Sequence, residues 1–287
     1  MDSLVGLLNP NVAAVIFGLT ASAVWGTGDF FGGLSSRRSN VFGVLILSQA
    51  AGLVFMIALA LLWQEPIPPT RDLIWGMVAG ISGAIGLAAL YASLANGQMG
   101  VNAPLIAVLG AAIPVLYGVA TQGKPGTFQL IGFGVALIAV WLLSRPEQAM
   151  SGPPRGLGLA ILAGVALGGF LIFIAQAEST SVFWMLTAAR AASVPFLIVV
   201  TLIARQPLLP DRPVMRIAAL SGVFDALGNA FFLLAAQVGR LDVASVLSSL
   251  YPVSTILLAR FVLKERVAVM QSAGILLALI AIVLIAL

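Results

Sequence analysis

Ten apolar runs fill almost the whole of this 287-residue chain, at 11–34, 41–63, 73–95, 101–122, 127–144, 156–177, 181–204, 214–237, 241–263 and 267–287. Each is close to the roughly 20 residues a helix needs to cross a hydrocarbon core about 30 Å thick. Few folds remain open to such a chain, because backbone polar groups in lipid must be satisfied inside helices or closed barrels. Runs of this length exceed barrel strands, so the spacing predicts an all-α integral membrane protein with ten transmembrane helices. Composition agrees: 61% of residues are hydrophobic and 8% charged, where a soluble domain is roughly half apolar and a quarter charged.

The ten runs are five runs written twice. Residues 65–71 read EPIPPTR and residues 206–212 read QPLLPDR, so that a shift of 141 carries Pro66 onto Pro207, Pro69 onto Pro210 and Arg71 onto Arg212. Leu90-Tyr91 meets Phe231-Phe232 at the same shift, and Gly97 meets Gly239 one residue later. A fixed period of this kind signals duplicated architecture. Five spans is an odd number, so the second copy enters the membrane from the opposite side, giving two inverted-topology repeats over 1–148 and 149–287. Asn-Gly at 96–97, Gly-Lys-Pro-Gly at 123–126 and Ser-Gly-Pro-Pro at 151–154 mark turns, the last being the linker between halves.

Loop charge orients the chain. Arg37, Arg38, Arg145, Arg155, Arg205, Arg212, Arg216, Arg260, Lys264 and Arg266 fall on one side, and only Arg71, Lys124 and Arg240 on the other. The positive-inside rule puts the first group in the cytoplasm and both termini outside. The high pI therefore reflects topology, and no nucleic-acid partner is expected. Asp2 and the lack of a basic residue before the first run argue for a retained span over a cleaved leader. With no cysteine and no histidine, disulfides, thiolate nucleophiles and the usual transition-metal ligands are excluded. No metal or other cofactor is expected.

An ionisable side chain in mid-span costs about 2.5–3.5 kcal/mol on insertion scales, so each one needs a reason. Asp225 lies at the middle of span 8, Arg190 in the outer half of span 7, and Asp29 toward the cytoplasmic end of span 1; Glu178 sits at a helix boundary and reaches water. Ser221, Asp225, Asn229 and Phe232 form one helical stripe. Ser245, Ser248, Ser249, Pro252 and Thr255 form another on span 9, and Ser22, Trp25, Asp29 and Gly32 a third on span 1. Tyr91, Asn96 and Asn102 are the nearest polar groups of the first half. Polar stripes should face one another around a wet interior. The expected cavity offers Arg190, Asp225, Asp29, amides and hydroxyls between walls of Trp25, Tyr91, Trp184, Phe232 and Tyr251. That set suits a zwitterion, its carboxylate at Arg190 and its ammonium at an aspartate. The plain alternative is an ion pair of Arg190 with Asp225 or Asp29 that only joins helices, with the serine stripes as packing. Gly28/Gly32, Gly76/Gly80 and Gly164/Gly168, pairs four apart, predict close helix contacts of the ordinary packing kind.

Residues 243–266, VASVLSSLYPVSTILLARFVLKER, with their Ser/Leu stretch, mid-helix Pro252 and Lys264-Glu265-Arg266 before the last span, resemble the EamA-type members of the drug/metabolite transporter superfamily. The first copy matches through Pro114 but has Gly123-Lys124-Pro125 in place of the Glu-Arg motif. The resemblance covers essentially the whole chain. It implies a ten-helix carrier of the bacterial inner membrane, working as a monomer in the lipid bilayer with a central site opening alternately to each side, and many relatives export amino acids, aromatic and branched-chain ones included. Pro252, and Pro114 in the first copy, would then serve as hinges, since proline removes a helix hydrogen bond. Export of an amino acid or similar metabolite is the expectation, with protons as the candidate coupling ion through Asp225 or Asp29. A passive facilitator or channel, or a carrier of sugars or nucleosides, is the alternative. A remoter one is an intramembrane aspartyl protease, because Gly26-Thr27-Gly28-Asp29 reads GxGD and Asp225 could supply the second carboxylate. Aligning the copies sets Asp29, Asp225 and Arg190 opposite Ile172, Ala84 and the Ser48/Gln49 region, none of them charged.

Overall fold

The computed structural model describes residues 9–96, 99–144, 156–264 and 266–287. All regular structure among them is helical: α1 (Pro10–Ser36), α2 (Val41–Leu62), α3 (Thr70–Asn96), α4 (Met99–Gln122), α5 (Thr127–Leu143), α6 (Leu157–Ile174), α7 (Val182–Ile203), α8 (Met215–Val238), α9 (Leu241–Ser249), α10 (Tyr251–Val262) and α11 (Val269–Ala286). Nine spans among the described residues are long and apolar enough to cross a membrane, with α9 and α10 counted as one, and the 17-residue α5 is a shorter tenth. The expected linker at 151–154, with Arg145, Glu147 and Arg155, lies outside the described residues, as do Gly97 and Glu265.

Local chemistry starts and stops the helices. Asn9 accepts the Asn11 N–H at 2.9 Å ahead of Pro10, and Asn40 accepts the Gly43 N–H at 2.9 Å. Gln129 and Gln271 accept backbone N–H groups at the starts of α5 and α11. The helix α7 lacks a cap of its own. Glu65, from the loop after α2, accepts the N–H groups of Phe183 and Trp184 at 2.9 and 3.0 Å. Partial burial raises the Glu65 pKa on balance, the α7 backbone donors offsetting only part of the shift.

The two copies pack mainly on each other. In α1 the most extensive partner is α8, in α3 it is α6 and then α7, and α5 lies along α11. Contacts recur at the repeat spacing. A Cβ at Gly80 would collide with the Ala189 carbonyl, and one at Gly222 with the Ser48 carbonyl. Gly86 faces Leu167 as Gly228 faces Trp25; Gly168 meets Gly110 and Ile113 as Gly26 meets Tyr251 and Ser254. Glycine at these crossings lets backbones approach without a hydrophobic driving force. The expected contact pairs hold: Gly28, Gly32, Gly76, Gly80, Gly164 and Gly168 all abut a neighbouring helix.

Loop conformation repeats even where residue types do not. Gln64 and Arg205, 141 apart, both adopt positive φ (50° and 52°), and so do Gly123 and Lys264 (81° and 57°). Gly123 and Lys264, the first residues of the Gly-Lys-Pro segment and of its counterpart, thus share one backbone conformation. Each Pro-x-x-Pro segment docks on the other copy. Trp184 Nε1 donates to the Glu65 carbonyl at 2.8 Å, Ser181 Oγ to the Pro66 carbonyl at 2.6 Å, and Arg71 pairs with the exposed Glu178 at 2.7 Å. For the second segment, Asn40 donates to Gln206 at 2.9 Å, the Asp211 N–H donates to Ser39 Oγ at 2.8 Å, and Gly43 abuts Leu209 and Pro210.

Span 9 is broken as the mid-helix proline predicts: α9 ends at Ser249 and α10 starts at Tyr251 with Pro252 in its first turn. All nine residues of α9 are buried and none of α10. Pro114 does not do the same, because α4 runs unbroken through Pro104 and Pro114.

Candidate functional site

Two of the three in-span charges, Arg190 and Asp225, meet between α7 and α8. Arg190 is buried, and its guanidinium donates to Asp225 Oδ2 and to Gln49 Oε1, each at 2.5 Å. Ser193, one turn along α7, donates to the same Gln49 oxygen at 3.2 Å. Asn229 Nδ2 donates to the Asp225 carbonyl at 2.8 Å and reaches its carboxylate at 3.5 Å. The pair is asymmetric in exposure: the Arg190 side chain is 5% exposed and that of Asp225 39%. One side of the carboxylate therefore remains open while the cation beneath it is closed in.

Aromatic side chains cluster by the Asp225 backbone. Trp25 on α1 donates its Nε1–H to the Asp225 carbonyl at 3.2 Å, stacks on the fully buried Phe232 at 5.8 Å and meets Tyr251 edge-on at 6.4 Å. Gly28, beside Asp29, packs on the Asp225 backbone, and Ser221 Oγ donates to the Gly28 carbonyl at 2.8 Å. Asp29 itself is exposed and is not the partner of Arg190. Of the expected set, the structure gathers Arg190, Asp225, Asn229, Trp25, Phe232 and Tyr251, with Asp29 next to them.

Others lie elsewhere. Trp184 is tied at both nitrogens to Glu65 at the end of α7, away from Arg190. The Ser248 and Ser249 hydroxyls donate to Ala244 and Val246 carbonyls of their own helix, at 2.7 Å each. They are spent on backbone, as serine in an apolar helix commonly is. Asn102 bonds to Ser93 between α3 and α4. Tyr91 and Asn96 belong to α3, with side chains outside the described residues.

Gln49 and Ser193 were not expected in the site. Gln49 stands 141 residues before Arg190, so the hydrogen bond joins two repeat counterparts. Counterparts can touch only near the axis that exchanges the copies, and that spacing was already visible in the sequence. Beside the pair, Gly83, Ala84, Leu87, Phe170 and Leu186 line a small cavity that Arg190 and Asn229 also reach.

A family model described as the EamA-like transporter family matches the chain twice, over residues 12–145 and 154–287. The chain belongs to that family, within the drug/metabolite transporter superfamily, and is a multi-pass membrane transporter, not an enzyme. A solved structure titled "Crystal structure of protein" shares the fold, with TM-score 0.75 and 18% identity over 95% of this chain and 96% of that one. No curated protein matches. The protease reading falls with the family assignment. Gly26 and Gly28 of the GxGD string are the points where α10 and α8 cross α1.

Proposed function

We propose that this chain exports amino acids across the inner membrane of a bacterial cell by alternating access, the two five-helix repeats lying inverted in the bilayer with both termini outside. The observation that carries the substrate reading is the Arg190–Asp225 pair, closed on its cation and open on its carboxylate. A zwitterion presents the same two charges in reverse. Its carboxylate can replace Asp225 on Arg190, while its ammonium is taken by the freed Asp225 and by Asp29. The ion pair then stands in for substrate when the site is empty, so neither charge is left unpaired in a low-dielectric interior. Loop charge and the odd number of spans per repeat support the orientation.

The test is uptake by proteoliposomes holding the purified protein, offered labelled amino acids, sugars and nucleosides with and without a pH gradient. Amino acids are expected to move, with Arg190→Ala abolishing flux while the protein stays monodisperse. Movement of another class without amino acids would overturn the substrate assignment. Stimulation by the pH gradient would identify proton coupling, and indifference to it an exchanger or a passive facilitator.

A further inference from the structure

The cavity beside Arg190 has two unlike walls. Arg190, Gln49, Ser193 and Asn229 form the polar one, and the other is Gly83, Ala84, Leu87, Phe170 and Leu186. The division follows the duplication. Glycine contacts on α3 and α8 align at a shift of 142 (Gly80 with Gly222, Gly86 with Gly228), so Gly83-Ala84 fills in α3 the place that Asp225 holds in α8. Likewise Phe170 belongs to the apolar stretch of α6 that stands where α1 carries Asp29. One half of the duplicated site keeps the charges, and the other has Gln49 in place of Arg190 and apolar residues around the places of Asp225 and Asp29.

We infer that the apolar half is a side-chain pocket that selects amino acids with short aliphatic side chains and rejects aromatic ones. This rests on the amino-acid reading above. A substrate whose carboxylate lies on Arg190 has its side chain beside the same guanidinium, where the apolar wall of Gly83, Ala84, Leu87, Phe170 and Leu186 can receive it. Size sets the limit. The cavity holds about 40 Å³, and a water-sized group takes about 10–15 Å³ on that measure. Three or so heavy atoms fit, as in an isopropyl or isobutyl group; a phenyl or indole ring does not. Ala84 is fully buried and Leu87 half-buried, so the floor is fixed by packing and Leu87 is the adjustable wall.

The experiment is counterflow in proteoliposomes with labelled alanine, leucine and phenylalanine. Wild type should carry leucine at least about tenfold better than phenylalanine, the discrimination a pocket gives for a few carbons. Ala84→Leu should lower leucine flux relative to alanine flux at least about tenfold. Leu87→Ala should admit phenylalanine, and it tests the pocket even where the filled variant does not fold. Equal wild-type rates for leucine and phenylalanine overturn the inference, as does phenylalanine exclusion unchanged in Leu87→Ala, and the amino-acid reading survives both. Failure of every amino acid to move overturns the two together.

Discussion

At the scale of single residues, the organising contact is Arg190 with Asp225 and Gln49. Removing one partner of a fully buried pair typically costs about 3–5 kcal/mol. Here Asp225 is more than a third exposed, and solvent screening reduces that figure. We predict that Asp225→Asn lowers the melting temperature in detergent, because Arg190 keeps its charge with only the Gln49 oxygen and a neutral amide against it. Arg190→Leu/Asp225→Leu should be more stable than Asp225→Asn, since a doubly apolar replacement leaves no buried charge. A double variant as unstable as the single one would mean that the pair contributes through shape alone. Gln49 extends the logic: an amide can face a guanidinium at the axis, whereas a second arginine there would place like charges in contact.

At the scale of helices, the copies are held by backbone approach. Gly80 and Gly222 sit against carbonyls, so Gly80→Ala and Gly222→Ala should each destabilise by about 1–3 kcal/mol, the usual overpacking cost. Gly33→Ala, with nothing within 4 Å of the added methyl, should be neutral or gain up to about 1 kcal/mol of helix propensity. Thermal melts of the three variants check this, and equal effects at Gly33 and Gly80 would refute it. The break in span 9 leads to a different prediction. Pro252→Ala restores an N–H donor and allows α9 and α10 to fuse, and we expect slower transport with little loss of expression; unchanged rates count against a hinge. Spans, the turn at 123–126 and the proline break were legible because each depends on local pattern. The Arg190–Asp225 pairing was legible as one of two choices. The positions of Trp184, Ser248 and Ser249 were not, because helical stripes show which residues share a face and not which backbone group claims a side chain first. Glu65 was missed for a related reason: it caps a helix 117 positions farther along, at Val182, and a trans-acting cap leaves no local signature.

At the scale of the molecule, the absence of cysteine makes the proposed orientation directly measurable. Ile67 and Leu208 are exposed repeat counterparts in the two Pro-x-x-Pro segments. Ile67→Cys should react with an impermeant maleimide from outside and Leu208→Cys from the cytoplasm; labelling of both from one side would rule out inversion. The mutual packing of the copies has a consequence of another kind. Glu65 caps α7 and Pro66 holds Ser181 ahead of it, Gln206 and Asp211 hold the start of α2, and among the described residues every core cluster draws on both copies. The chain is thus built as a tethered dimer whose two protomers happen to share one polypeptide. Cut between residues 145 and 156, it should yield two fragments that are each insoluble alone and that recombine into an active carrier when co-expressed.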